Sequence, residues 1–201
     1  MRKGAVIVET RNLPDLIGII GDHMVYLPDF ELTIFGSDEN KDIIKSFLPD
    51  VNFINLGCHL NEFQYNALFT SSDFWEAIHY DKILIFQHDS MMLRPGIDEF
   101  LDYDYVGAPW KFQLNGGNGG FSLRSKDMML KTVNKFPYIA HNHGNEDVYF
   151  SNHLPLVGGN VAPREVCKKF SVETIFALGT LGCHAIEKHL TAKQCKQIKT
   201  Q

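Results

Sequence analysis

Short apolar segments alternate with helix-like segments through the first half of this chain. Four apolar segments are predicted strands: residues 5–8, 32–35, 51–56 and 82–86. Three segments with apolar residues at helical spacing are predicted helices: residues 13–27, 38–48 and 61–78. Strands that alternate with helices predict an α/β domain with a largely parallel sheet. A chain of 201 residues is long enough for one such domain.

The second half has a different character. Residues 116–123 are glycine-rich and lead into a strand, and residues 126–136 have the pattern of a helix. Residues 141–154 begin as a polar stretch and end as a helix, whereas residues 155–183 resemble loops and short strands. A basic tail helix is expected over residues 187–199.

Charge, hydropathy and cysteine usage exclude several classes of protein. A net charge of −5 argues against nucleic acid as a partner. No apolar run reaches the roughly 18 residues of a membrane span, so we expect none. The apolar start ends at Glu9, too early for a secretory signal. The four cysteines form no paired motif, which fits reduced thiols and a cytoplasmic protein.

Polar residues follow the fourth predicted strand directly. Gln87, His88, Asp89 and Ser90 lie where that strand must end, and open α/β sheets bind ligands at this edge. A carboxylate there could bind a divalent cation that also holds a diphosphate. The alternative is an aspartate that only caps the next turn.

Residues 115–124 place four glycines in five positions, interrupted only by Asn118. Such a run costs chain entropy, and it is useful where the backbone approaches a ligand closely or takes a positive φ. The Lys-Ser/Thr pair of a phosphate-binding P-loop is missing. A wide hairpin loop is the alternative.

Two adjacent carboxylates, Glu146 and Asp147, precede an apolar helix start. Paired carboxylates can have their pKa values pushed apart, so that one serves as a general base. Helix capping is the alternative function. The nearby His141 and His143 have a spacing that suits a strand better than this loop, which disfavours zinc. A later histidine, His184, gains importance only if it approaches Asp89.

Five motifs occur in order: Glu-Thr-Arg at residues 9–11, Ile-Phe-Gln-His-Asp-Ser at 85–90, Gly-Ala-Pro-Trp at 107–110, Gly-Asn-Gly-Gly-Phe-Ser-Leu-Arg at 117–124, and Glu-Asp-Val-Tyr-Phe at 146–150. Together they resemble a GT-A-like family within the superfamily of nucleotide-sugar glycosyltransferases. The match spans about residues 5–184. The resemblance implies a three-layer α/β/α domain with a mostly parallel mixed sheet, in which residues 1–90 bind the nucleotide, residues 91–186 hold the acceptor and catalytic groups, and residues 187–201 form the tail.

The resemblance also implies roles for individual residues. Asp89 and His184 would bind Mn²⁺ or Mg²⁺, and Gln87 stands where the superfamily has an aspartate facing the ribose. The remaining donor-binding residues would be Thr10, Arg11, Ser90, Asn118, Gly119 and Gly120. Asp147, or Glu146 beside it, would be the base that activates the acceptor.

The implied activity is transfer of a sugar from a nucleotide-sugar donor, UDP-linked, to a hydroxyl of a glycan, protein or lipid. One base acting in a single displacement predicts inversion at the anomeric carbon. Two alternatives remain. One is a non-catalytic relative that binds a nucleotide or glycan. The other is a nucleotidyltransferase, which would normally carry a basic glycine-rich loop that residues 9–22 lack.

Overall fold

A six-stranded sheet with the strand order β3-β2-β1-β4-β7-β6 forms the centre of the computed structural model, which describes residues 1–200. Its strands are β1 (Lys3–Val8), β2 (Glu31–Gly36), β3 (Asn52–Asn55), β4 (Lys82–Phe86), β6 (Tyr105–Ala108) and β7 (Asn118–Ser125). The four strands from the first half are parallel. β7 runs antiparallel to both β4 and β6.

Helices cover both faces of this sheet because successive strand residues point to opposite sides. Ala5 and Ile7 of β1 belong to one apolar core, and Val6 and Val8 belong to the other. The helices of the first core are α1 (Leu16–Met24), α2 (Lys41–Phe47) and α8 (Arg164–Phe170). Those of the second core are α3 (Glu62–Phe69), α4 (Ser72–Glu76), α5 (Lys126–Lys135) and α7 (Glu146–His153). The predicted three-layer α/β fold with a mostly parallel mixed sheet is therefore confirmed.

Three predicted elements differ from the structure. The single helix expected over residues 61–78 is two helices, since the Ser71 side chain accepts a hydrogen bond from the Phe74 amide and starts a new helix. Residues 155–183 contain α8, which was expected to be loop. The tail is also divided, into α9 (Ile186–His189) and α10 (Ala192–Lys199), because Thr191 begins α10 with a capping box.

A second, three-stranded sheet lies beside the first. It has the order β5-β9-β8 and consists of β5 (Ser90–Met92), β9 (Gly182–His184) and β8 (Ser171–Val172). In the antiparallel pair β5 and β9, Ser90 is opposite His184. The pairing carries a late segment of the chain to the end of β4. A third apolar core, which includes Cys195 and Ile198 of α10, packs the tail against this sheet.

The short helix α6 (Ala140–His143) completes the described elements. Within residues 1–200, none of the helices has the length and apolar character needed to cross a bilayer.

Candidate active site

The sequence motifs meet at one edge of the large sheet. β1 and β4 are parallel neighbours, so residues 9–11 and 87–89, which follow them, lie at the same edge. β7 runs the opposite way and pairs Phe121 with Phe86, which places its first residues, Asn118 to Gly120, at that edge too. The register of three adjacent strands therefore assembles polar groups from distant parts of the sequence.

His184 contacts the end of β4 directly. Its Nε2 donates to Oε1 of Gln87 at 2.9 Å and lies 3.1 Å from Oδ1 of Asp89. The amide of Gln87 is oriented from its other side, since its Nε2 donates to the Tyr65 hydroxyl at 2.9 Å. On the far side of the imidazole, Nδ1 faces Oε1 of Glu173 at 3.4 Å. Two carboxylates and one amide thus surround a single, nearly buried histidine.

Opposite charges lie side by side in this group and shift the pKa values of its members. Burial alone would lower the pKa of His184, but the hydrogen bonds and charges of Asp89 and Glu173 raise it to about 9. Burial opposes ionisation of Asp89 in turn, yet the hydrogen bond from Lys188 and the positive charge of His184 keep its pKa well below the usual range. Nζ of Lys188 lies 2.7 Å from Oδ2 of Asp89. Asp89 is therefore ionised at neutral pH and pairs with His184 and Lys188.

A polar cavity of about 340 Å³ lies between the ends of β1 and β4 and the start of α3. Arg11 lines it, and the nearly buried Glu9 orients the guanidinium by accepting from Nε at 2.8 Å and from Nη2 at 2.6 Å. Burial would raise the pKa of Glu9, but the bonds from Arg11 bring it below its ordinary value. An oriented, partly exposed guanidinium beside a cavity is suited to binding phosphate oxygens.

Thr10 lines the same cavity, and its hydroxyl makes hydrogen bonds within the protein. Its hydroxyl accepts from the Leu60 amide at 3.1 Å and contacts Nδ1 of His59 at the same distance. The side chain is almost fully buried although it borders the polar cavity. Thr10 therefore fixes the loop after β3, which forms one wall of the cavity.

Asp147 lies in the first turn of α7, against the start of β7. Its Oδ2 accepts from the Gly119 amide at 3.1 Å, and its Oδ1 accepts from the Val148 amide at 2.7 Å. Burial and the neighbouring charge of Glu146 raise the pKa of Asp147 to about 7. A carboxylate with that pKa can both take up and release a proton near neutral pH.

Glu146 is engaged in a buried ion pair. Its two oxygens accept from Nη1 and Nη2 of Arg124 at 2.5 and 2.8 Å. Arg124 is fully buried, and its guanidinium lies 5.0 Å from the ring centre of Tyr105 and 5.2 Å from that of Phe69. Both oxygens of Glu146 are therefore engaged by Arg124, whereas the carboxylate of Asp147 is held by two backbone amides.

Residues 50–184 match the model of the family described as "Protein of unknown function (DUF5672)". The match covers about two thirds of the sequence. The chain belongs to this family. No curated protein matches this DUF5672 protein in sequence.

Solved structures resemble the DUF5672 protein only distantly. The apo form of the glycosyltransferase GlyE from Streptococcus pneumoniae TIGR4 has a TM-score of 0.44 and 16% identity over 75% of this chain and 44% of the other. A 4-diphosphocytidyl-2C-methyl-D-erythritol synthase has a TM-score of 0.48 and 12% identity over 80% and 87%. Its counterpart from Anaerococcus prevotii DSM 20548 has a TM-score of 0.45, 12% identity and coverages of 74% and 81%. The DUF5672 protein spans less than half the length of GlyE, and these similarities are too low to extend to function.

The atoms around His184 would fit a divalent cation that displaces the proton on Nε2, since a histidine binds a metal through a deprotonated nitrogen. Oδ1 of Asp89 is buried and makes no well-formed hydrogen bond within residues 1–200, and it lies beside an imidazole nitrogen and an amide oxygen. In a six-coordinate ion with bonds near 2.1 Å, neighbouring ligand atoms lie about 3 Å apart. The distances from Nε2 of His184 to Oε1 of Gln87 and to Oδ1 of Asp89 are close to this value. An imidazole among the donors favours Mn²⁺ over Mg²⁺. In the described part of the chain, no three His, Cys, Asp or Glu side chains form such a site by themselves, so Gln87 would be the third ligand.

Ser90 and Asn118, two of the residues predicted to bind the donor, make hydrogen bonds within the protein. Ser90 donates to the Gln87 carbonyl at 2.6 Å and contacts Nε2 of the buried His23 at 3.1 Å. It borders a different cavity, on the α1 side of the loop, which Asp89 also lines. Asn118 folds back, and its Oδ1 accepts from the Gly120 amide at 2.8 Å.

Gly119 and Gly120 leave room for other side chains of the site. A Cβ on Gly119 would collide with Glu146 and Arg124, and one on Gly120 would collide with the imidazole of His184. The two glycines therefore allow the ion pair and the histidine to approach the strand. Packing within the protein therefore explains the glycines at these two positions without any bound ligand.

Sequence reasoning missed Glu9, Arg124, Glu173 and Lys188 as members of the site. Glu9 and Arg124 lie within motifs that were identified, at a strand end and beside the glycine run, so a signal for them existed. Glu173 and Lys188 lie in segments without a motif, and only the second sheet brings them to Asp89 and His184.

Proposed function

We propose that this protein transfers a sugar from a nucleotide-sugar donor, UDP-linked, to a hydroxyl acceptor, with inversion and with the help of a divalent cation, Mn²⁺ in preference to Mg²⁺. The single observation that carries the proposal is the contact of 3.1 Å between His184 and Asp89, at the sheet edge where Asp147 also lies. A cation-binding pair and a carboxylate near its working pKa at one edge of the sheet are the groups this reaction needs.

The chain's own residues would hold the donor. Arg11, oriented by Glu9, would bind diphosphate oxygens in the polar cavity, which Gln87 also lines. Asp89, His184 and Gln87 would hold the cation. When bound, the cation neutralises negative charge that develops on the departing diphosphate. The loop fixed by Thr10 would close the nucleoside end of the cavity.

Asp147 would move the proton. The acceptor hydroxyl oxygen forms a bond to the anomeric carbon as the bond from that carbon to the diphosphate oxygen breaks. The hydroxyl proton passes to Asp147, whose two backbone hydrogen bonds orient the carboxylate for this transfer. The pairing of Glu146 with Arg124 leaves one carboxylate for the step, and that supports inversion.

The test is release of nucleoside diphosphate from a panel of nucleotide sugars in the presence of Mn²⁺. The proposal expects release from at least one sugar donor by the wild type, and loss of release in Asp147→Asn and Asp89→Asn. Asp127→Asn is the matched control, since this exposed aspartate follows β7 at the opposite edge of the sheet. Binding of a donor without release would favour the non-catalytic alternative. Release of pyrophosphate from a nucleoside triphosphate and a sugar phosphate would favour the nucleotidyltransferase.

A further inference from the structure

A second cavity, of about 480 Å³, opens beside the polar cavity at the N-termini of α3 and α7. The two cavities share Asn61 and Glu62 in their walls. Volumes of this size are typical of small-molecule sites. We call the second cavity the α3–α7 groove. One molecule in the groove and another in the polar cavity would therefore be neighbours.

The floor of the groove is fixed relative to Asp147. Oδ1 of Asn66 in α3 accepts from the Glu146 amide in α7 at 2.7 Å, and its Nδ2 donates to the Glu62 carbonyl at 2.9 Å. These bonds hold the two helix starts together. Asp147 is the next residue of the same helix turn, so the wall of the groove is tied to the turn that carries the proposed base.

The groove offers a flat aromatic ring together with amide groups. Phe63, in the first turn of α3, leaves 65% of its surface exposed. Tyr138 forms part of the wall, and its hydroxyl donates to the Gly144 carbonyl at 2.6 Å. The side chain of Asn145 makes no capping bond to α7, and Asn61 uses only its oxygen in capping α3. Amide hydrogen-bonding capacity therefore remains beside an exposed ring.

We propose that the α3–α7 groove binds the acceptor and that the acceptor is a saccharide, with a pyranose ring stacked on Phe63; the proposal rests on the proposed function. A pyranose has an apolar face of C–H groups and a rim of hydroxyls, which match an aromatic ring edged by amides. A lipid chain needs a continuous apolar channel, whereas amides interrupt this groove. An extended peptide commonly pairs with a free strand edge, and the groove is formed by helix starts and a loop.

Saturation-transfer NMR tests the proposal with three methyl β-pyranosides, those of glucose, galactose and N-acetylglucosamine, in the presence of UDP and Mn²⁺. The wild type is expected to saturate the ring C–H protons of at least one of them. Phe63→Ala should weaken that glycoside by about tenfold, since the stacking contact is lost. Phe63→Trp should retain binding because it keeps an aromatic face.

Phe112→Ala is the control, because Phe112 is exposed to 73% on a different loop, and it should bind like the wild type. Equal binding by Phe63→Ala, or no saturation of any glycoside, overturns the proposal. The same experiment is repeated with octyl β-glucopyranoside, which carries both a sugar ring and an alkyl chain. Saturation confined to the alkyl chain would overturn the saccharide proposal in favour of a lipid acceptor. UDP binding to the same samples is followed by calorimetry. Glycoside binding at Phe63 without UDP binding would contradict the proposed function alone and leave the groove as a saccharide site.

Discussion

Nε2 of His184 lies 3.1 Å from Oδ1 of Asp89, although one residue ends a strand of the second sheet and the other follows the fourth strand of the first. The contact exists because β9 pairs with β5 immediately after Asp89. A change in the small sheet should therefore alter the proposed cation site and leave the polar cavity intact.

Glu173 is expected to tune cation binding through His184. Its Oε1 faces Nδ1 of the imidazole at 3.4 Å, and carboxylates in this position orient metal-binding histidines. Glu173→Gln should weaken Mn²⁺ binding, measured by calorimetry, by about 10- to 100-fold. Glu165→Gln is the control, since Glu165 is exposed and pairs with Lys168 at the surface. Unchanged affinity in Glu173→Gln would remove this role.

Gly120→Ala tests whether the glycine run makes room for His184. The added methyl group would collide with the imidazole, so the ring must shift. Mn²⁺ affinity should fall while the protein stays folded, as judged by its melting temperature. Gly18→Ala is the matched control, because Gly18 lies in α1 with open space around it and should gain up to about 1 kcal/mol of stability. Equal Mn²⁺ affinity in both variants would contradict the steric account.

Turnover should depend on the ionisation of Asp147. The base must be deprotonated, and burial beside Glu146 raises its pKa to about 7, so the rate should rise with pH through 7 and level off at higher pH. Asp147→Asn should lower the rate by about 10²- to 10⁴-fold and abolish this rise. Initial rates measured between pH 5.5 and 8.5 provide the check. A wild-type profile that is flat through pH 7 would argue for another base.

The same pKa has a consequence for stability that requires no substrate. The folded pKa of about 7 lies above the ordinary value of 3.8, so the folded protein binds more protons than the unfolded chain between these values. Stability should therefore fall as the pH rises from about 4 to about 7. Asp147→Asn should show less of this fall in urea titrations at pH 5 and pH 8, and an identical fall in both proteins would refute the raised pKa.

The buried pair of Arg124 and Glu146 is expected to act as a unit. Arg124→Met leaves a buried carboxylate without its partner and should cost about 3–5 kcal/mol of stability. Glu146→Gln should also be costly, since the guanidinium then lacks its counter-charge. The double variant should lose less than the sum of the single losses, as measured by chemical denaturation. Additive losses would indicate that the two residues are not coupled.

The sheet could be predicted from the sequence because each strand carries its own apolar pattern. Residues 5–8 and 82–86 were identified as strands, and β1 and β4 contain them. The polar ends of those strands predicted the location of Asp89 for the same reason. The apolar patterns of single segments were therefore sufficient to predict the fold and the edge of the sheet at which the candidate site lies.

Contacts between distant segments could not be predicted in the same way. The pairing that engages both oxygens of Glu146 depends on Arg124 in β7. The position of Ser90 depends on His23, an α1 histidine with no partner evident in the sequence. Glu173 has no motif around it at all. These contacts result from tertiary packing. The spacing of apolar residues along the sequence does not show which distant segments will meet.

The most direct test of the central claim is a calorimetric titration of the wild type and Asp89→Asn with UDP, each with Mn²⁺ and with a chelator. The account predicts that UDP binds the wild type with Mn²⁺, binds much more weakly with the chelator, and binds Asp89→Asn weakly under both conditions. UDP binding that is equal with Mn²⁺ and with the chelator, and unaffected by Asp89→Asn, would contradict it.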